Sequence, residues 1–218
     1  MKKIIPALLT NSTDIFKSRV EEYTKIFNRI EIDICSFPFT LKDSLGVEAI
    51  LPVLLEIEFN GVWDFHIMER DPMQSIELLK NSNLRFREVN IFIHQESDNF
   101  SYIAESMEFP ELWRKFAAIK VESDLLSLEA YNKFFGILFL SHEIGVQKAK
   151  FNKKVLKKIK VLREMGFSKE IKLDGGINLT TAPQITNDNN VNVVSVGSYF
   201  QNSKDVKAEL EKLEKVLN

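Results

Sequence analysis

A strand followed by a helix, repeated eight times with no linker or change of composition between units, is the pattern that most limits how these 218 residues can fold. Apolar runs at residues 4–9, 89–94, 116–121, 136–140, 171–174 and 191–196 read as buried strands. Residues 29–34 alternate strictly between polar and apolar, and residues 61–68 add a further strand. Between them, helical spacing covers residues 15–27, 47–55, 97–107, 123–134, 151–165 and 205–216. Asp71-Pro72 opens another helix, and a short one falls at 182–185. This alternation predicts a single-domain parallel (β/α)8 TIM barrel spanning residues 1–218. A doubly wound open sheet shares the alternation, but no Gly-x-Gly-x-x-Gly follows the first strand to support a dinucleotide site.

Composition narrows the partners. The formal net charge of -2 argues against nucleic acid, which requires a basic face. The longest apolar run, residues 134–140, is far shorter than a membrane span, so no membrane partner is expected. Pro6 interrupts the apolar stretch after Met1-Lys2-Lys3, so a signal peptide is not expected either. With Cys35 as the only cysteine, no intrachain disulfide can form. These features together predict a cytoplasmic protein.

In a barrel of this kind, chemistry sits at the C-terminal ends of the strands. Side chains alternate across a strand, so Glu31 and Asp33 share one face, as do Asp64 and His66. All three histidines, His66, His94 and His142, fall at predicted strand ends. So does Asp174, which is followed by Gly175 and Gly176 and then by Asn178, Thr180 and Thr181. That sequence can present a carboxylate beside bare backbone amides. Glu31, Asp33 and Asp174 crowded into one narrow mouth require a compensating positive charge. A divalent metal with His66 as nitrogen ligand supplies one; Lys172, on the same face as Asp174, or Lys120 supplies another. The ligand types favour the metal, with Zn, Mn, Fe or Mg preferred over Cu.

With these residues in place, the chain resembles the ribulose-phosphate 3-epimerase family almost end to end. The likeness is carried by Ile5-Pro6-Ala7-Leu8-Leu9, Ile30-Glu31-Ile32-Asp33-Ile34, and Phe65-His66-Ile67-Met68 with Asp71-Pro72. It continues through Ile93-His94-Gln95-Glu96, Leu140-Ser141, Leu173-Asp174-Gly175-Gly176-Ile177-Asn178, Thr181-Ala182-Pro183 and Val196-Gly197-Ser198. The resemblance implies a homo-oligomeric isomerase of pentose phosphate metabolism, in which two aspartates move a proton on and off C3 of a ketose phosphate. Asp33 and Asp174 match those aspartates. Glu31, Asp33, His66 and Asp174 fall on the metal-ligand positions. Gly145, Gly175, Gly176, Gly197 and Ser198 match substrate- and phosphate-binding turns.

Three departures set this chain apart. The family has histidine at the position of Glu31 and serine at that of Ala7. Its glycine-rich phosphate loop reads here as residues 141–150, where Gly145 is the only glycine kept and Gln147 and Lys148 replace others. Lys148 or Lys150 would then offer a point charge in place of backbone amides. The alternative expectation is a barrel that keeps the fold but has lost epimerase activity, serving as a binding or partner protein, or one that acts on a different sugar.

Overall fold

The structure, a computed structural model, describes residues 2–142 and 150–218. Its eight strands are β1 (Lys3–Leu8), β2 (Arg29–Cys35), β3 (Val62–Met68), β4 (Val89–His94), β5 (Trp113–Lys120), β6 (Gly136–Leu140), β7 (Glu170–Asp174) and β8 (Val193–Val196). Each pairs in parallel with the next, and β8 returns to β1, so the sheet closes into the expected barrel. Helices α1 (Thr13–Tyr23), α2 (Val47–Glu56), α3 (Met73–Lys80), α4 (Phe100–Glu105), α5 (Leu128–Asn132) and α6 (Lys154–Glu164) follow the first six strands. After β7 the crossover is only a 3-10 turn, Ala182–Gln184. After β8 come a one-turn helix, α7 (Ser198–Gln201), and the closing helix α8 (Val206–Leu217). No helix among the described residues is long and apolar enough to cross a membrane.

The period-2 rule sorts the strand side chains into two cores. Outward-facing residues such as Ile30, Ile32, Ile34, Trp63, Phe65 and Ile67 are buried against the helices in the larger core. Inward-facing residues fill the barrel, and there the two halves differ. Strands β4 to β6 supply an apolar wall of Phe92, Phe116, Ala118, Leu138 and Leu140, joined by Cys35 and Met68. Strands β2, β3, β7 and β8 supply Arg29, Glu31, Asp64, His66, Lys172 and Ser195, all buried. A barrel interior is normally filled by branched apolar side chains. Half of this one is instead ionic.

Two predicted helices are shorter than their spacing suggests. The segment 97–107 becomes helical only from Phe100, because Asn99 adopts a left-handed φ of 63°. The segment 123–134 becomes helical only from Leu128, where Ser127 caps the first turn. Upstream, the Lys158 ammonium from α6 bonds the carbonyl of Val121, at 2.6 Å, and that of Ser123. That tertiary contact holds residues 121–123 in a turn off the end of β5. The glycine-poor loop after β6, with Gly145, Gln147 and Lys148, lies outside the described residues.

Candidate functional site

Strand register sets the site. Asp33 pairs with His66 across β2 and β3, and Glu31 pairs with Asp64 one layer deeper. Glu31 is therefore in the middle of β2, fully buried, rather than at the strand end where the sequence suggested it. Asp174 closes β7 beside Ser195 of β8.

From the base of the barrel upward, the ionic half forms one connected chain. Arg29 donates through Nε to both oxygens of Asp64 at 2.9 Å, and its terminal nitrogens reach Glu170 at 3.0 and 3.2 Å. Asp64 also accepts from Asn90 at 2.7 Å and from Lys172 Nζ at 2.6 Å. Lys172 in turn pairs with Glu31 Oε2, which also accepts from the Ser195 hydroxyl. The other Glu31 oxygen, Oε1, is buried with no hydrogen-bond partner among the described residues and lies 3.4 Å from His66 Nδ1. The same Nδ1 lies 3.0 Å from Asp33 Oδ1. On the far side of the ring, His66 Nε2 meets His94 Nε2 at 2.9 Å. His94 Nδ1 then reaches Glu96 at 3.3 Å, and Glu96 is held by the Ser123 hydroxyl.

This wiring fixes the charge states. Burial opposes charge on His66, but its hydrogen bond to Asp33 and the adjoining Glu31 carboxylate outweigh it and raise its pKa to about 9. Burial, only partly offset by the hydrogen bond to Glu96 and reinforced by the neighbouring His66, lowers His94 to about 4. His66 is then an imidazolium donating from both nitrogens, and neutral His94 accepts at Nε2 while donating from Nδ1 to Glu96. Burial would lift Glu31 too, yet the Lys172 and His66 charges hold it well below the ordinary carboxylate range. Asp33 is raised by burial, partly offset by its bond to His66. Asp174 is raised well above the ordinary value, by burial first and then by the charges of Glu31 and Asp33.

Asp33 and Asp174 open onto one cavity at the C-terminal mouth, together with Gly175, Gly176, Gly197, Ser198 and Ala7. Gly175 and Gly176 have φ of 105° and 68°, which only glycine adopts readily. At Gly175 an added Cβ would also collide with the His142 ring. Gly197 is different: a Cβ there would come no nearer than 3.8 Å to Ala7, so its bareness is not demanded by the fold. His142 lines this cavity beside Asp174.

Of the predicted ligands, Glu31, Asp33 and His66 place ligand atoms within 4.8 Å of one another. Asp174 stands outside that group on β7, although it shares the cavity. Lys172, which the sequence offers as an alternative to a metal for balancing these acids, does pair with Glu31. Ser195, which donates to Glu31, and Arg29 and Asn90, which donate to Asp64, were not singled out. Strand parity could have found Arg29, which alternates in step with Glu31 and Asp33.

A closed parallel barrel with acids and paired glycines at its C-terminal rim defines the class, a (β/α)8 barrel. The particular family follows from comparison. A profile of the ribulose-phosphate 3 epimerase family matches residues 3–201, and the chain belongs to that family. No curated protein sequence matches it. Among solved structures it is similar to KGPDC from Streptococcus mutans, at 13% identity and a TM-score of 0.67, covering 99% of this chain and 97% of that one. It is similar to phosphoribosyl anthranilate isomerase from Thermococcus kodakaraensis, at 11% identity and a TM-score of 0.65, covering 100% and 99%. It is also similar to a 3-hexulose-6-phosphate synthase, at 15% identity and a TM-score of 0.64, covering each chain in full at 100%. At these identities the likeness establishes the barrel fold.

Proposed function

We propose that this chain is an isomerase that inverts C3 of a ketose phosphate, ribulose 5-phosphate or a close relative, by proton transfer between two carboxyl groups. The observation that carries the reading is that Asp33 and Asp174 open onto the same cavity from different strands, β2 and β7. Inverting a carbon requires an acid–base group on each of its faces. The two aspartates are also differently supported. Asp33 is bonded to an imidazolium, which favours its ionised form. Asp174 is buried under the negative charges of Glu31 and Asp33 and holds its proton more strongly. Such a pair, pushed apart by environment, supplies a base and an acid at one pH. Asp33 removes the C3 proton from one face, and Asp174 donates from the other. In this reading the cavity-lining Gly175, Gly176, Gly197 and Ser198 hold the phosphate end through their amides.

Glu31, Asp33 and His66 are the residues that would hold a divalent metal. Glu31 Oε1 is a buried acceptor with no hydrogen-bond donor among the described residues, and Asp33 Oδ1 and His66 Nδ1 lie close to it. A metal bound there would supply fixed positive charge for the oxygens on which negative charge develops. Binding it would require His66 to give up its Nδ1 proton. An oligomer and a cytoplasmic location complete the reading, on family membership.

The test is interconversion of ribulose 5-phosphate and its C3 epimer by wild type, Asp33→Asn and Asp174→Asn, with Mn2+, Zn2+ or Mg2+ supplied. Wild-type turnover that falls at least about a hundredfold in each variant supports the reading. Wild-type inactivity on ketose 5- and 6-phosphates overturns it. The second reading, a different reaction on a sugar phosphate, is favoured by the Glu31–Lys172 ion pair, which alters the ligand set at the centre of the site.

A further inference from the structure

We propose that the Lys172 ammonium is an internal counter-ion that balances Glu31 and holds it away from a divalent metal, so the site takes one only weakly. The inference rests on the preceding reading only in placing that metal on Glu31, Asp33 and His66.

Lys172 is completely buried inside the barrel, one strand repeat below Asp174. A lysine is almost never fully buried unless paired, and here the pairing is double. Its Nζ bonds Asp64 at 2.6 Å and pairs with Glu31 Oε2. It also lies 4.1 Å from the centroid of the Phe92 ring, whose face favours a cation. The Ser195 hydroxyl donates to the same Glu31 oxygen. Oε2 therefore already carries two donors, and Glu31 can turn only Oε1 toward His66 and Asp33.

The buried carboxylates beneath the cavity are paired without a metal. Arg29 pairs with Asp64, and with the partly exposed Glu170 at the base, while Lys172 pairs with Glu31. A divalent ion on Glu31 Oε1 would share one carboxylate with a fixed ammonium, in a fully buried setting where like charges repel strongly. Lys172 cannot swing aside, because Asp64, Glu31 and the Phe92 face hold it on three sides. It is a positioning residue: it sits beneath the cavity and does not line it.

The experiment is calorimetric titration of Mn2+ into EDTA-treated full-length protein, comparing wild type with Lys172→Met and Lys172→Gln. Both variants remove the cation, and the glutamine retains a donor for Glu31 should the methionine form not fold. The expected result is Mn2+ binding at least tenfold tighter in a Lys172 variant, abolished when Asp33→Asn is added, with Mn2+ raising the melting temperature of the variant more than that of wild type. Equal affinity, tighter binding by wild type, or no binding by a folded Lys172 variant overturns the inference. Elemental analysis of dialysed wild type is a second arm: sub-stoichiometric metal supports it, and a stoichiometric metal that resists dialysis overturns it whether or not the variants fold. Proton exchange at C3 is a separate readout, so the reaction can fail while the order of affinities holds.

Discussion

His66 and His94 meet Nε2 to Nε2 at 2.9 Å inside the barrel, a contact that requires one ring to donate and the other to accept. The two rings are displaced in opposite directions, His66 up to about 9 and His94 down to about 4. This has a consequence for stability. His66, raised above its unfolded value, contributes stability that is complete below about pH 6.5 and is lost as pH rises through about 9. His94, lowered, costs stability as pH falls from about 6.5 through about 4, because the unfolded ring takes up a proton that the folded one refuses. Each displacement corresponds to about 3 kcal/mol. Urea unfolding of wild type is therefore expected to show this pair's contribution greatest near pH 6.5, and His94→Gln is expected to flatten the acid limb. An acid limb unchanged in His94→Gln would contradict the assignment.

The base of the barrel gives a larger effect. Arg29 and Asp64 are both nearly or fully buried and share two hydrogen bonds of 2.9 Å. Removing one member leaves a buried charge short of a partner, Asp64 with only Lys172 and Asn90 or Arg29 with only Glu170, at a cost of up to about 3–5 kcal/mol. Arg29→Met and Asp64→Asn are each expected to lower the urea midpoint strongly. The double variant should cost less than the sum of the two, and an additive result would show that the pair is not coupled.

The glycines at the mouth separate fold from binding. Gly175→Ala must adopt a φ of 105° and collide with His142, so a loss of about 1–3 kcal/mol is expected by thermal denaturation. Gly197→Ala meets nothing closer than 3.8 Å and should stay within about 0.5 kcal/mol of wild type. Its methyl group would nevertheless stand on the wall of the cavity. Weakened binding of inorganic phosphate at unchanged stability is the expected outcome for Gly197→Ala, read by calorimetry beside the melting curve.

Cys35 is buried at 5% exposure, and burial, with the charges of Asp33 and Glu69, raises its thiol pKa far above the ordinary range. The thiolate is the reactive form. Ellman's reagent should leave Cys35 unmodified in the native protein at pH 8 and label it fully in urea. Rapid labelling of native protein would place Cys35 at the surface instead.

The barrel was legible in the sequence because parallel strands buried on both faces appear as apolar runs, and eight of them alternate with helical spacing. The inward acids of β2 and β3 were equally legible, since alternation in Arg29–Cys35 places Glu31 and Asp33 opposite the isoleucines. What could not be read was which inward charges meet. Lys172 and Glu31 are 141 residues apart, and only closure of β8 onto β1 brings their strands around one interior. The depth of Glu31 was missed for the same reason, because parity gives the face of a residue and not its layer. Helix lengths near residues 97–107 and 123–134 were overread because spacing alone cannot show a left-handed Asn99 or a carbonyl claimed by Lys158.

The central claim is that Asp33 and Asp174 exchange a proton with C3 of a ketose phosphate. Proton NMR of ribulose 5-phosphate incubated with the protein in deuterium oxide, divalent metal supplied, tests it most directly. The account predicts that the C3 signal disappears with wild type and persists with Asp33→Asn, which lacks the carboxylate that removes that proton. A C3 signal that persists with wild type, for ribulose 5-phosphate and for related ketose phosphates alike, would contradict it.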